Sequence, residues 1–145
     1  MEEFSLDRVE KLFKANGLKA KNNCYFVAIK DSRKNQGLIG GINYPYSGLL
    51  LDVTEKGIGM FYLKTIKASF KIDTSKLGIE EDKYFFIDKS EIRNITVKNF
   101  AILNKKTKTV IIKTTNKTHY LFVNTTDNFI PYNVENFTKF MERFK

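Results

Sequence analysis

Two side chains in this sequence have the chemistry of a general base or a nucleophile, and each residue type occurs once. His119 is the single histidine and Cys24 is the single cysteine. A His-based triad or a metal site with several histidines would need partners that one chain does not supply. Cys24 begins the apolar run Cys24–Ile29, where a thiol behaves as a small hydrophobic group. We therefore expect both residues to occupy packing positions in strands, and a lone cysteine fits a reducing compartment.

Two other segments have residue types found in ligand sites. The carboxylates of Glu80–Asp82 lack the spacing of an EF-hand loop, and the glycines of Gly37–Gly41 lack the Lys-Ser/Thr ending of a phosphate-binding loop. We interpret both segments as loops. The sequence thus predicts no catalytic residue, no metal site and no cofactor.

The net charge of +9 and a pI near 9.5 are the strongest compositional signal. An excess of this size favours an anionic partner such as nucleic acid, a phosphoinositide or an acidic membrane. The lysines are spread along nearly every segment, which is also the pattern of a solvated polar face. Net charge alone therefore leaves the partner open.

The elements that would position these residues begin and end with helices. Segment 5–16 has Ser5 as a plausible N-cap, while Phe4 and Val9 can form a hydrophobic staple. Its apolar stripe must pack on strands, because the chain offers little else. Segment 134–144 carries an apolar stripe at helical spacing and predicts an amphipathic terminal helix.

Between the helices the sequence predicts strands joined by short turns. The clearest signal is a hairpin in which 49–54 and 58–64 are apolar and Glu55–Gly57 forms the turn. The other predicted strands are 24–30, 84–87, 95–98, 109–115 and 118–124, with a weaker one at 68–72. We predict a loop at 31–47, a loop or a short turn of helix at 73–83, and a turn at 88–91.

Strands connected by short turns are antiparallel neighbours, and curling such a sheet removes its exposed edges. We therefore predict a mainly β fold with about seven antiparallel strands in a partly open barrel, capped by the C-terminal helix. No repeat or linker divides the chain. The prediction is a single domain, 1–145, with an N-terminal helix at 5–16 and the barrel and capping helix at 23–145.

Alternating strand directions place the predicted loops at two ends of the barrel. One end would have the 31–47 loop and the Asn116-Lys117 turn, and the other would have Lys56 and a basic turn at 105–108. The candidate anion-binding residues at these two rims are Arg33, Lys34, Lys117, Lys105, Lys106 and Lys108.

Three passages of the chain resemble the bacterial pleckstrin-homology-like and GRAM-like domains. Segment 48–62 is similar to the family's second and third strands, and 86–95 to the corner between its fourth and fifth strands. Segment 110–122, with the 134–144 helix, looks like the last hairpin and capping helix. The resemblance implies a barrel of this type. Because family members that bind phosphoinositides use the loop between the first two strands, it also directs attention to Arg33 and Lys34.

These observations favour a non-catalytic binding module that recognises a protein or its own copies. The alternative is a charge-driven binder of acidic membrane lipid or nucleic acid. An enzyme is the least favoured class, since it would need a cleft that gathers Asp52, Asp88 or Glu91 with a lysine. The acidic N-terminus and the lack of a long apolar stretch predict a cytoplasmic protein without a transmembrane segment.

Overall fold

The computed structural model of the chain describes residues 2–30, 45–64, 66–67, 78–101, 104–125 and 130–143. These residues form two α-helices, eight strands and two short 3-10 turns, Glu2–Phe4 and Lys89–Glu91. The helices are α1 (Leu6–Ala15) and α2 (Asn133–Arg143), and the strands are β1 (Tyr25–Lys30), β2 (Pro45–Thr54), β3 (Gly57–Leu63), β4 (Ile66–Lys67), β5 (Ile79–Asp88), β6 (Ile92–Ala101), β7 (Asn104–Thr114) and β8 (Thr118–Asn124).

Seven strands form one antiparallel sheet in the order β5-β3-β2-β1-β8-β7-β6, and the short β4 pairs with the start of β2. The first and last strands of this order, β5 and β6, follow each other in the chain and are joined by the Lys89–Glu91 turn. A three-residue connection can link the two edges only if the sheet curls until they meet. The predicted partly open barrel is confirmed, and no further strand pair among the described residues closes it.

Among the described residues the junction between β1 and β8 is short, since only Ile29 and Lys30 pair with β8. Helix α2 lies over the remaining length of β1. Its Phe137 and Phe140 rings enter the barrel and pack on Phe26, with ring centroids 5.3 and 5.1 Å away. The helix thus fills the gap where the two halves of the sheet diverge.

The strands on one side of the sheet are apolar on both faces. Leu49 and Leu51 point into the barrel, while Leu50 points outward and joins a second buried cluster. An uninterrupted apolar strand is expected where both faces are covered. The outer cluster packs under α1, which contributes Val9 and Phe13. The prediction that the first helix packs on strands is therefore consistent with its observed place.

Polar contacts fix α1 and the segment after it. The Arg8 guanidinium lies 3.0 Å from a Glu3 carboxylate oxygen and 2.9 Å from one of Glu81 on β5. In the β2–β3 turn, the Glu55 carboxylate accepts from the amides of Lys21 and Asn22, each at 2.9 Å. The N-terminal helix is thus tied to the sheet at both ends.

The structure corrects the sequence prediction in three places. Pro45–Ser47 and Ile79–Lys83, predicted as parts of loops, are the first residues of β2 and β5. Residues 105–108 are not a turn, because β7 begins at Asn104. The predicted 68–72 strand lies outside the described residues, as do 31–44 and 73–77 of the predicted loops.

Candidate binding surface

His119 lies on β8 with its ring directed into the mouth of the barrel. The imidazole stacks on Phe85, with centroids 6.1 Å apart and planes inclined by 20°. Burial, together with the nearby positive charges of Lys117 and Lys30, lowers its pKa to about 4. The side chain is therefore uncharged at neutral pH and acts as a flat packing group.

Cys24 is half-buried between β1 and α2. Its thiol donates to the main-chain carbonyl of Asn136, with a sulfur–oxygen distance of 3.2 Å. Burial, followed by the charge of Asp52, raises the thiol pKa to about 11. A thiol in this state is a poor nucleophile at neutral pH.

Asp52 is a buried carboxylic acid on the outer side of β2, beneath the N-terminal segment. One oxygen accepts from the Cys24 amide at 2.9 Å, and the other has no hydrogen-bond partner among the described residues. Burial raises its pKa to about 7; the Cys24 amide opposes the shift and Glu55 adds to it. The group is sealed from solvent, with a relative exposure of 0%.

A cleft of about 420 Å³ between the end of α1 and strand β5 contains Lys56 and Asp88. Both side chains have structural contacts there. Asp88 accepts from the amide and hydroxyl of Ser90, which lowers its pKa, and Lys56 donates to the carbonyl of Lys19. These contacts stabilise the turns on either side of the cleft.

Those of the predicted anion-binding residues that the structure describes lie at two ends of the barrel. Lys117 is exposed in the turn between β7 and β8, and its charge lowers the pKa of His119. The charge of Lys30, which was not among the predicted residues, has the same effect. Lys106 and Lys108 lie in β7 at the other end, where Lys108 donates to Asn99. Arg33 and Lys34 lie outside the described residues, and only the backbone of Lys105 is described.

A different arrangement of charge emerges from the sheet order. Strands β6, β7 and β8 form a three-stranded meander at one side of the sheet. Segment 92–126, which includes all three, contains no Asp or Glu, so it holds most of the net charge of +9. Its cationic residues are Arg93, Lys98, Lys105, Lys106, Lys108, Lys113 and Lys117.

The outward side chains of this meander form one surface, which we call the meander face. Cross-strand pairing sets it out in rows, and the alternation of strand residues puts Val110, Ile112, Leu121 and Val123 on the opposite, interior side. The rows are Lys98–Thr109–Phe122, Thr96–Ile111–Tyr120 and Asn94–Lys113–Thr118.

The two halves of the sheet differ in what covers their outer faces. Helix α1 packs over the outer side of β1, β2, β3 and β5, where Val27, Leu50 and Phe61 are buried. On the meander face, Ile111, Tyr120 and Phe122 are partly exposed, and Lys98 and Lys113 are exposed. Thr109 on the same face is buried. The meander face thus combines partly exposed apolar side chains with exposed lysines.

The chain matches no protein-family profile, no curated protein and no solved structure. Fold and surface alone define its class, a curled, open antiparallel sheet with one helix-covered outer face and one basic, partly apolar outer face. Within the described ranges, no helix has the length and hydropathy needed to cross a membrane. The same residues contain no cluster of His, Cys, Asp and Glu placed to hold a metal ion.

Proposed function

We propose that this protein is a non-catalytic binding module with a pleckstrin-homology-like barrel, and that it binds an anionic partner on the meander face. One observation about the sheet carries the proposal. Strands β6, β7 and β8, which contain no acidic residue, are also the strands whose outer face α1 does not cover. A buried outer face is a structural layer, whereas partly exposed apolar side chains such as Ile111 and Tyr120 beside exposed lysines are typical of an interaction surface.

The titratable groups support a binding role over a catalytic one. His119 is neutral and stacked on Phe85, Cys24 is a protonated thiol, and Asp52 is sealed under the N-terminal segment. A general base or nucleophile must reach its substrate. None of these three groups is presented to solvent in a form suited to that task.

A charge-reversal experiment tests the proposal. The double variant Lys98→Glu/Lys113→Glu changes two exposed lysines of the meander face, and Lys11→Glu/Lys89→Glu makes the same change in net charge on α1 and in the β5–β6 turn. We measure the salt concentration at which each protein elutes from immobilised heparin, a generic polyanion. The face variant should elute at much lower salt than the control variant, because it alone loses the surface that contacts the polymer.

Equal elution of the two variants would show that retention follows net charge only, and it would overturn the proposal. Circular dichroism and a thermal melt establish that each variant is folded. All four lysines are on the surface, so the substitutions should change stability by no more than about 0.5 kcal/mol.

A protein partner or a second copy of the chain is the other candidate, and edge strand β6 favours it. This ten-residue strand pairs with β7 on one side and ends the described sheet on the other. An edge strand can accept an added strand through its main chain. By contrast, the charged run Glu80–Lys83 at the other edge, on β5, opposes strand addition. Light scattering across a concentration series tests self-association, which requires the mass to rise toward twice the monomer value of 16.9 kDa.

A further inference from the structure

We infer that segment 17–23, which joins α1 to β1, is a proton-controlled gate over the carboxyl group of Asp52. We call this segment the strap. It is closed while Asp52 is protonated, and it opens to water when Asp52 ionises. The inference goes beyond the proposed binding function, because it concerns the half of the sheet that α1 covers and does not depend on the meander face.

Asp52 is enclosed on the outer face of the sheet. Its cross-strand neighbours are Tyr25 on β1 and Gly59 on β3. A Cβ atom at Gly59 would lie 2.7 Å from a methyl carbon of Leu18 in the strap and 3.1 Å from the Tyr84 hydroxyl, so these two groups lie beside Asp52 on the same face. Asp52 has a relative exposure of 0%, and one of its oxygens has no hydrogen-bond partner among the described residues.

This site suits the neutral acid and not the carboxylate. An ionised group with an unpartnered oxygen costs free energy in a site that is sealed from solvent, whereas a neutral acid is tolerated there. Burial accordingly raises the pKa of Asp52 to about 7, although the hydrogen bond from the Cys24 amide opposes the shift. Admitting water to the carboxylate removes this cost, so an open form gains population as the pH rises.

The groups around Asp52 do not compensate its charge. Among the described residues, Glu55 is the charged group that acts on it, and Glu55 opposes its ionisation. Hydrogen bonds from two strap amides lower the pKa of Glu55, which therefore stays ionised. Three neighbouring groups stay neutral near pH 7 because burial raises their pKa, and they are Cys24, Tyr25 and Tyr84. Charges from the helices act on Cys24 and Tyr25, and they come from Glu10 of α1 and from Lys139 and Arg143 of α2.

The strap is held on the sheet by one buried side chain and by exposed hydrogen bonds. Leu18 is buried, and the other strap residues are exposed or partly exposed. The hydrogen bonds go to the β2–β3 turn, where Glu55 accepts from two strap amides and Lys56 donates to a strap carbonyl. Exposed backbone hydrogen bonds with few buried contacts open at low free energy. The strap can therefore lift while α1 stays anchored through Val9 and Phe13.

Hydrogen exchange measured by NMR from pH 5 to pH 9, corrected for the intrinsic exchange rate at each pH, tests the inference. The reporters are the amides of Leu18, Lys21 and Asn22. In the wild type, their protection should fall by at least about tenfold between pH 5 and pH 7 and level off above pH 8, because the closed form holds the proton with a pKa of about 7 and the open form with one near 3.8.

Two variants show which carboxyl group is responsible. In Asp52→Asn the protection of the strap amides should not change with pH, since the side chain keeps its shape but cannot ionise. The matched control is Asp82→Asn, which removes an exposed acid from β5 and should keep the pH dependence of the wild type. A fall in Asp52→Asn equal to that in the wild type would overturn the inference, as would constant protection in the wild type.

Opening of the strap must be separated from unfolding of the whole molecule. Amides inside β7 report global unfolding, and their protection should decrease steeply when urea is added below the unfolding transition. The strap amides should respond much less to urea, because lifting a short segment exposes little surface. If the strap amides follow β7 at every urea concentration, the proton acts only on global unfolding and the gate is refuted.

Glu55→Gln supplies an independent check on the direction of the effect. It removes the charge that opposes ionisation of Asp52, so the pH above which protection levels off should be lower than in the wild type. It also weakens the hydrogen bonds from the strap, so protection should be lower at every pH. A levelling-off pH equal to that of the wild type or higher would contradict the inference.

Discussion

The side-chain amide of Asn133, the first residue of α2, bonds to both main-chain groups of Val27 in β1. Its oxygen accepts from the Val27 amide at 2.6 Å, and its nitrogen donates to the Val27 carbonyl at 3.4 Å. One turn later, Asn136 donates to the carbonyl of Tyr25 at 2.9 Å. Two helical asparagines thus take the place of a neighbouring strand where β8 no longer pairs with β1. The barrel gap is covered by polar bonds as well as by phenylalanine rings.

Asn133→Ala should destabilise the protein by about 1 to 3 kcal/mol, because it leaves the buried Val27 amide without an acceptor. Urea denaturation measures the change in unfolding free energy. Thr138→Ala is the control, since Thr138 is exposed on the same helix and its hydroxyl bonds only locally, to Val134. We expect that control to stay within about 0.5 kcal/mol of wild type. Similar losses in the two variants would contradict the strand-like role of Asn133.

Comparison with Asp52→Asn should show that Asp52 contributes to the unfolding free energy of the wild type at low pH and that this contribution is lost as the pH rises. Folding raises the Asp52 pKa from 3.8 to about 7, so the folded state holds the proton more tightly than the unfolded state. The wild type therefore loses stability relative to the asparagine variant between pH 4 and pH 7, and the difference is constant above that range. Unfolding free energies of both proteins at pH 4 to 9 measure this difference. A difference that does not change with pH would contradict the raised pKa of Asp52.

Comparison with His119→Phe should show a contribution to the unfolding free energy with the opposite pH dependence, over nearly the same pH range. Folding lowers the His119 pKa from 6.5 to about 4, so the unfolded state binds the proton more readily. Stability from the neutral imidazole is present above pH 6.5 and is lost as pH falls toward 4. The phenylalanine variant can keep the stack on Phe85 without this loss. The unfolding free energy of the variant relative to the wild type should therefore rise as the pH falls below 6.5. A constant difference in that range would contradict the lowered pKa of His119.

Gly59→Ala should displace the N-terminal segment from the outer face of β3. A Cβ atom at Gly59 would lie 2.7 Å from a methyl carbon of Leu18 and 3.1 Å from both the Phe13 ring and the Tyr84 hydroxyl. Overpacking of this kind costs about 1 to 3 kcal/mol. Denaturant titrations of the single variants and of Leu18→Ala/Gly59→Ala form a double-mutant cycle. The double variant should be more stable than the two single losses predict, by at least about 0.5 kcal/mol, and strict additivity would show that Leu18 is not the obstacle.

Local patterns in the sequence were sufficient for most of the fold. Apolar periodicity located both helices, and the Glu55–Gly57 turn located the central hairpin. The acidic run Glu80–Asp82 was mistaken for a loop because an edge strand with a solvated side resembles one in composition. Pro45 misled in the same way, since proline is compatible with the first residue of a strand.

The candidate surface was harder to predict because it depends on which strands are neighbours. The absence of acidic residues from 92–126 can be read from the sequence, although only the sheet order shows that this segment is one side of the sheet. Strand alternation places Tyr120 and Phe122 on one side. It cannot show that α1 covers the outer face of the other half of the sheet and does not cover this one.

The short β1–β8 junction has a consequence for how the molecule opens. Strands β1, β2, β3 and β5 pair through nearby segments of the chain, as do β6, β7 and β8, whereas the contacts of Asn133 with Val27 span 106 residues. Joining such distant segments carries the larger loop-closure entropy, and the two positions at which described residues of β1 and β8 pair give little hydrogen bonding in return. We therefore expect hydrogen exchange to divide the protein into two cooperative units, with the amides at the β1–β8 seam exchanging before those inside either half.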